Sequence, residues 1–470
     1  MISLCREKMM MKRFLIIFFL FDLCACFAQS TGLVLPKENQ VEWQNAEIGA
    51  LFSYDIHVFD GKRYVQSTNR ITPPVNYNIF YPKSLDTDQW VLAAKSAGCK
   101  FAMITATHET GFGLWQSDYN PFCMKCLQWK DGKGDIIRDF VNSCRKYGVK
   151  PGIYIGIRWN AFLGIHNFKV DGNGPFAKNR QQWYKKYCES IVKELCTKYG
   201  KLFLVWFDGG ADDPNGLGPD VEPIIKEYQP NCLFYHNVNR ADIRWGGSES
   251  GSVPYPCWST FPTCFSHGNQ TESVKDYQNI LSHGTPDGKY WMPAMADFPL
   301  RGYHHRHEWF WEPDDDNAVF PVTDLLAKYE ESVGRNATMV IGLTPDTAGL
   351  IPECDVKRLK EFGDSIQYRF SHPIAKSENC HIKMKKDETI NCYLLQEDIR
   401  QGQRVQRYTL QAKVGGRWRT IDEGSCIGHK RINRIPVIKT HELRLIVSEK
   451  IAKPLITNFS VYNLSKNDEE

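Results

Sequence analysis

Residues 135–158 read DIIRDFVNSCRKYGVKPGIYIGIR, and this stretch contains both elements of the repeating unit that decides the fold. Its first half, DIIRDFVNSCRKYG, spaces apolar residues three and four apart, which predicts an amphipathic helix. Gly148 ends that half, and glycine is the usual C-terminal cap of a helix. The second half, KPGIYIGIR, is a short apolar run that predicts a buried strand. The unit is therefore a helix followed at once by a strand.

The same alternation of helical and strand-like patterns extends over about residues 45–365. Apolar runs such as IGALFSY (48–54), KFAMITATH (100–108) and KLFLVWFDGG (201–210) are separated by helical stretches such as LDTDQWVLAAKSAG (85–98). Such alternation implies a parallel sheet, in either a (β/α) barrel or a doubly wound fold. No GxGxxG motif opens a helix, which disfavours a dinucleotide-binding fold. We therefore predict an α/β protein with a (β/α)8-like TIM barrel as its catalytic domain.

The pattern changes after about residue 370. Segments such as RVQRYTLQAKVGGRWRTI (404–421) and PLITNFSVYN (454–463) alternate polar and apolar residues between turns, which predicts short antiparallel strands. We expect the catalytic barrel to span residues 29–368 and a C-terminal β-sandwich to span residues 369–470.

The N-terminus has the three parts of a secretory signal peptide. A basic start at Lys12 and Arg13 precedes the apolar run FLIIFFLF, and the run ends in LCACFAQS with a cleavage point after Ala28. We predict a signal peptide over residues 1–28 and export to the bacterial periplasm. Lipid attachment at Cys26 is the alternative. No other stretch has the roughly 18 apolar residues that a membrane-spanning helix needs.

Charge and composition narrow the class of partner. The formal net charge is +4 over 470 residues, and no Lys/Arg run is dense enough to predict nucleic-acid binding. Aromatic residues make up 13% of the chain, which favours carbohydrate binding weakly because aromatic rings are also ordinary core residues. Cys123 and Cys126 form a CxxC, but no second pair lies at zinc-ligand spacing, so no metal site is expected.

Polar residues at strand ends mark the candidate site, because the active sites of barrel enzymes lie at the C-terminal ends of the strands. Asp208 ends the apolar run KLFLVWFDGG, although an aspartate there could also cap the next helix. His108 and Glu109 end another strand, with Trp115 in the loop that follows. A buried histidine with a solvated glutamate is the alternative interpretation.

Glu249 lies in a Gly/Ser-rich loop, ADIRWGGSESGSVPYPCW, between Trp245 and Trp258. A surface loop is the alternative. Asp208 and Glu249 together could supply the nucleophile or base and the general acid of glycoside hydrolysis. Sequence alone does not give the distance between them, so retention and inversion both stay open at this point. Candidate sugar contacts come from the same regions and comprise Trp206, His236, Arg244 and Trp258.

Four segments occur in this order along the chain: THETGFGLWQSDYNPF (107–122), WFDGG (206–210), RWGGSESG (244–251) and PAMADFPLRGYHHRHEWFW (293–311). They resemble successive blocks of the family 29 glycoside hydrolases, the α-L-fucosidases. The resemblance implies a retaining exo-glycosidase that acts on fucosylated glycans without a metal or other cofactor. It makes Asp208 the nucleophile, which forms a fucosyl-enzyme ester.

The segment RWGGSESG resembles the branch of the family that cleaves α-1,3/1,4-linked fucose from Lewis-type glycans, which makes Glu249 the acid/base. Three departures concern the sugar pocket. Glu109 stands where the family usually has a second histidine, and Ser53 stands where it has another. His57, four residues on, is a candidate substitute for the second of these. The Glu-Trp pair that often precedes the first helix is missing. A glycosidase for another sugar and a catalytically degenerate glycan-binding protein are the alternatives.

Overall fold

The structure is a computed structural model that describes residues 32–73, 75–211, 216–265, 276–304 and 308–464. The predicted signal peptide and Cys26 lie outside these residues. No helix within the described ranges is long and apolar enough to cross a membrane.

Eight parallel strands form a nearly closed barrel. In chain order they are β1 (Ile48–Phe52), β2 (Phe101–Thr107), β3 (Lys150–Ile155), β4 (Leu204–Ala211), β5 (Leu233–Asn237), β6 (Arg244–Trp245), β7 (Ala294–Pro299) and β8 (Thr338–Leu343).

Consecutive strands pair with each other except β5 and β6, and β8 returns to pair with β1, so that Ile48 lies beside Met339. The ladder is interrupted between β5 and β6. There the Asp242 N–H donates to the carbonyl of Phe234 at 3.0 Å, and the Asp242 carboxylate accepts the N–H of Phe234 at 2.9 Å. The predicted (β/α) barrel is confirmed.

Helices and short elements surround the barrel. The helices are α1 (Glu38–Ala46), α2 (Gln66–Asn69), α3 (Thr87–Ser96), α4 (Ile136–Lys146), α5 (Gly174–Lys198), α6 (Glu222–Tyr228), α7 (Tyr277–His283), α8 (Val322–Ser332) and α9 (Glu353–Phe370). Single 3₁₀ turns occur at Ile56–Phe59, Tyr77–Ile79, Met124–Cys126, Trp129–Gly132, Asp316–Ala318 and Ile399–Gln401. Two small hairpins pair Ile165–His166 with Lys169–Val170 and Thr260–Phe261 with Tyr290–Trp291.

The interior of the barrel is filled by side chains rather than by solvent. Leu204 and Trp206 on β4 both belong to this inner cluster, and Tyr154 joins them from β3. Successive side chains of a strand point to opposite faces, so alternate residues share one face. Asp208, two residues after Trp206, therefore continues the inward-facing row at the open end of the barrel.

The C-terminal part is an antiparallel six-stranded sheet that is sandwich-like, as predicted. Its strands are β9 (Ala375–Ser377), β10 (His381–Glu397), β11 (Val405–Val414), β12 (Arg417–Gly424), β13 (Arg431–Lys450) and β14 (Ile456–Tyr462). They lie in the order β9-β14-β10-β13-β11-β12.

Barrel and sheet belong to one compact unit, Val34–Glu470. The sheet contacts the end of the barrel where strands begin. His429 donates its N–H to Asn336 at 2.7 Å, and its ring lies 2.9 Å from Glu47. Glu47 directly precedes β1 and Asn336 lies two residues before β8, so these contacts lie at the opposite end of the barrel from Asp208.

Candidate active site

Asp208 lies within β4, where the strand bends after its apolar run. The two residues that follow, Gly209 and Gly210, have φ values of +64° and +85°, a region that favours glycine. A Cβ on Gly209 would lie 2.7 Å from the side chain of Arg158. The glycines therefore permit the bend that leaves the Asp208 carboxylate exposed at the mouth of the barrel.

Tyr154 on β3 holds the Asp208 carboxylate from the neighbouring strand. Its hydroxyl donates to Asp208 Oδ2 at 3.0 Å, and the Gly209 N–H donates to Oδ1 at 2.9 Å. Burial, followed by the negative charge of Asp208, raises the pKa of Tyr154 well above its usual value. Tyr154 thus stays protonated and remains a hydrogen-bond donor throughout the physiological pH range.

Glu249 lies on the exposed loop after β6. The indole N–H of Trp309 donates to Glu249 Oε2 at 3.0 Å. Trp309 in turn packs over Gly342 of β8, where a Cβ would lie 2.5 Å from the indole ring. The second predicted carboxylate is therefore oriented by an indole that rests directly on backbone.

Asp297 is a third carboxyl group at the site and was not among the residues predicted from the sequence. It lies on β7, is only 3% exposed, and accepts the indole N–H of Trp245 at 2.8 Å. Burial raises the pKa of Asp297 well above its usual value, and the charges of Glu249 and Asp208 raise it further. These surroundings favour the protonated form of the Asp297 carboxyl group. Its signal was a polar residue inside the apolar run AMADFP, the same signal that marked Asp208.

Two cavities meet at these three carboxyl groups. Four residues line both of them, namely Trp206, Asp208, Glu249 and Asp297. The first cavity is completed by Leu51, Ser53, Tyr64, Gln66, Thr105, His108, Tyr154, Trp309 and Phe310. The second is completed by Gly209, Tyr235, His236, Trp245, Tyr277, Gln278 and Leu281. A bond positioned at the carboxylates would therefore have space on both sides.

Five of the ten predicted site residues line these cavities. They are Asp208, Glu249, His108, Trp206 and His236. His108 is in the first cavity, where its ring stacks on Tyr154 with centroids 5.6 Å apart. His236 is in the second.

The other five predicted residues do not line either cavity. His57 packs against Tyr64 and Phe310, with centroid distances of 5.0 and 4.3 Å. Glu109 accepts hydrogen bonds from Tyr64 Oη at 2.6 Å and Arg70 Nε at 2.7 Å. His57 and Glu109 thus adjoin side chains that form the cavity wall.

Trp115, Arg244 and Trp258 lie in the scaffold around the cavities and line neither of them. The indole N–H of Trp115 donates to Glu194 at 3.2 Å. Arg244 is fully buried and donates to the carbonyl of Leu281 at 2.9 Å and also to that of Met292. Trp258 is 7% exposed. A direct sugar contact for these three stays a prediction.

Most cavity residues missed in the sequence carry no local signal. Tyr64 lies in the loop before the one-turn helix α2, and Gln66 is the first residue of that helix, which is too short to show a helical period. Trp309 and Phe310 stood within the quoted family block but had no assigned role. Within the described ranges, no group of three or more His, Cys, Asp or Glu residues could hold a metal ion.

The comparisons with known proteins all point to one family. The model of the α-L-fucosidase family matches residues 34–369. Alpha-L-fucosidase 1 of Arabidopsis thaliana is 27% identical over 478 residues, which covers 92% of this chain and 88% of that protein.

Solved structures agree. A Bacteroides thetaiotaomicron protein assigned as an α-L-fucosidase is 60% identical, with a TM-score of 0.91, over 92% of this chain and all (100%) of that one. A glycoside hydrolase 29 family member from a rumen bacterium is 28% identical, with a TM-score of 0.76, over 93% of this chain and 79% of that one.

Proposed function

The chain belongs to the α-L-fucosidase family, glycoside hydrolase family 29, and on that premise we propose that it removes terminal α-1,3/1,4-linked L-fucose from branched glycans with retention of configuration. As a member of that family it is a glycoside hydrolase. The observation that carries the proposal is that Asp208 and Glu249 both line the two cavities that meet between them.

The proposed reaction has two steps. In the first, the Asp208 carboxylate attacks the anomeric carbon and forms an ester, while the glycosidic C–O bond breaks and Glu249 gives its proton to the departing oxygen. In the second, Glu249 takes a proton from water, the water oxygen bonds to the anomeric carbon, and the ester bond to Asp208 breaks. Retention requires carboxyl groups about 5–5.5 Å apart, since no water stands between nucleophile and sugar.

The two cavities suit the two parts of such a substrate. We assign the fucosyl unit to the first cavity, where Tyr154 orients the nucleophile and His108 and Gln66 offer hydrogen-bonding groups. We assign the leaving group to the second cavity, where Tyr235, Trp245 and others offer aromatic surface for sugar rings. A second cavity this close to the carboxylates supports an oligosaccharide leaving group over a small one.

Activity on a panel of aryl glycosides tests the glycone. We expect turnover of the aryl α-L-fucoside above all others, and a Lewis-type trisaccharide to be a better substrate than the aryl fucoside. Faster turnover of another aryl glycoside would show a different sugar. Binding of the trisaccharide without turnover of any substrate would show a glycan-binding protein.

Substitution of the carboxylates tests their roles. Asp208→Ala should lower kcat by roughly 10⁴-fold, whereas Asp287→Ala at an exposed position should leave it unchanged. Glu249→Ala should regain activity with azide on an activated substrate, giving an α-fucosyl azide, because azide attacks the Asp208 ester in place of water and releases the carboxylate with net retention. Full activity in the Asp208 variant, or an unaltered pH profile without azide rescue in the Glu249 variant, would show that the assignment is wrong.

We also propose that the chain is exported to the bacterial periplasm through the leader in residues 1–28. The basic start, apolar run and Ala28 cleavage point support export. Mass spectrometry of the N-terminus of the mature protein tests the proposal. An N-terminus at Gln29 is expected, and a lipidated Cys26 would show tethering instead.

A further inference from the structure

Tyr64, in the loop before α2, and Gln66, the first residue of α2, form part of the wall of the first cavity. This loop is fastened to neighbouring segments by the buried carboxylates of Glu109 and Glu312. We propose that Glu109 is a positioning residue, which does not bind the sugar itself but holds Tyr64 in the cavity wall. The inference deepens the proposed function and rests on it in one respect, namely that the first cavity receives the fucosyl unit.

Both carboxylate oxygens of Glu109 are engaged within the protein. Oε2 accepts the Tyr64 hydroxyl at 2.6 Å, and Oε1 accepts Arg70 Nε at 2.7 Å. Glu109 is 6% exposed and is absent from the lining of both cavities. Hydrogen bonds to a charged acceptor are stronger than those between neutral groups, so this carboxylate is a firm anchor for the loop.

Arg70 and the backbone of Tyr64 fasten the same loop from two more sides. The Arg70 guanidinium lies 4.4 Å from the ring centroid of Trp159, within cation–π range. The Tyr64 N–H donates to Glu312 Oε1 at 2.8 Å. Tyr64 is thus held at its hydroxyl by Glu109 and at its backbone by Glu312.

The Tyr64 ring is one member of an aromatic group beside the cavity. Its centroid lies 5.0 Å from Phe310, 5.0 Å from His57 and 6.3 Å from His108. Burial, and after it the charge of Glu109, raises the pKa of Tyr64 above its usual value, so its hydroxyl stays a donor. A displaced Tyr64 would therefore change the shape of the wall that His108 and Phe310 share.

In this arrangement Glu109 positions Tyr64 and does not contact the sugar. A carboxylate that touched a sugar hydroxyl would act independently of Tyr64. A carboxylate that acts through Tyr64 must lose its effect once the tyrosine hydroxyl is removed. Misplacement of a pocket wall weakens binding of the glycone more than it slows a reaction whose carboxylates are intact.

A double-mutant cycle separates the two cases. We expect Glu109→Gln and Tyr64→Phe each to raise KM for an aryl α-L-fucoside about 10-fold with kcat changed less than about 2-fold, and the double variant to match the single ones. Binding of a fucose-configured iminosugar should weaken by the same factor. Glu330→Gln is the matched control, because Glu330 also binds an arginine, Arg434, at 2.6 Å but lies away from both cavities.

Hydrogen exchange gives a readout that needs no substrate. Peptides covering residues 60–70 should exchange about 10-fold faster in Glu109→Gln than in the wild type or in Glu330→Gln. Additive KM effects in the cycle, or unchanged exchange in this segment, would overturn the inference while wild-type α-fucosidase activity upheld the proposed function. Faster exchange in a protein inert toward every α-fucoside would refute the proposed function and still support Glu109 as the anchor of Tyr64.

Discussion

The indole N–H of Trp309 donates to Glu249 Oε2 across 3.0 Å, and this contact fixes an otherwise exposed carboxylate on a glycine-rich loop. The donor comes from a residue 60 positions away in the chain. The orientation of Glu249 is therefore a tertiary property of the site rather than a property of its own loop.

Trp309→Phe should lower kcat/KM about 3- to 10-fold, because a typical hydrogen bond contributes about 0.5–1.5 kcal/mol. The loss should be larger for a fucoside with a poor leaving group, which depends most on proton donation. Steady-state kinetics with two aryl fucosides of different leaving-group acidity measures this. Equal losses on both substrates would assign Trp309 to the pocket wall alone.

Gly342→Ala should disturb the hydrogen bond between Trp309 and Glu249 by displacing the indole ring. The added Cβ would lie 2.5 Å from the Trp309 ring and 3.2 Å from the Cα of Pro299, so the indole has to move. We expect kcat/KM to fall at least 10-fold and stability to fall by about 1–3 kcal/mol, the usual cost of overpacking. Adding Trp309→Phe should restore stability, since the smaller ring leaves room, but not activity. Failure of the double variant to regain stability in urea denaturation would place the strain at Pro299 instead.

Asp297→Asn should change how stability depends on pH. The pKa of Asp297 is raised in the folded protein. As the pH rises above 3.8, the ordinary pKa of an aspartate, the unfolded chain loses this proton while the folded protein keeps it. Stability from this group is therefore full below about pH 4 and falls as pH rises, by up to about 1.4 kcal/mol per pH unit. An asparagine carries no such proton, so the variant should gain stability over the wild type as pH rises.

Urea denaturation from pH 4 to pH 8 measures the difference between wild type and Asp297→Asn. The control is Asp287→Asn, at an exposed position, for which the difference should stay constant with pH. A constant difference for Asp297→Asn as well would mean that Asp297 is ionised in the folded protein.

Arg244→Met should reduce stability without weakening glycone binding. Arg244 donates to the carbonyls of Leu281 and Met292 and to Cys257 Sγ, and unsatisfied buried acceptors cost about 1–3 kcal/mol each. We expect a loss of roughly 3 kcal/mol, against less than about 0.5 kcal/mol for the exposed Arg419→Met. KM for an aryl fucoside should stay within about 2-fold. A large rise in KM with unchanged stability would instead support the sugar contact predicted from sequence.

The fold was predictable because its signals are local and repeated. Helix α4 (Ile136–Lys146) and strand β3 (Lys150–Ile155) fall within the two halves of the stretch that decided the fold. Strand β6 has only two residues, Arg244 and Trp245, which is too short to leave any periodicity. Its place in the barrel follows from pairing with β7, which is a tertiary fact.

The site was predictable where a polar residue interrupts an apolar strand. Asp208 has that signal and lies at the meeting point of the two cavities. Glu109 lies two residues beyond the end of β2, and its carboxylate accepts hydrogen bonds from Tyr64 and Arg70 instead of lining a cavity. Tyr64 could not be found in advance, since nothing in a loop sequence says which strand end it will cover.

The interruption of the barrel between β5 and β6 has a consequence for how this enzyme can diverge. The second cavity takes Tyr235 and His236 from β5 and Trp245 from β6, the two strands that flank the interruption. Side chains there are not tied to a continuous hydrogen-bond ladder, so substitutions and insertions can accumulate at little cost to the barrel. Related enzymes could thus vary the second cavity at this interruption while β1 to β4 keep the first cavity and Asp208 unchanged.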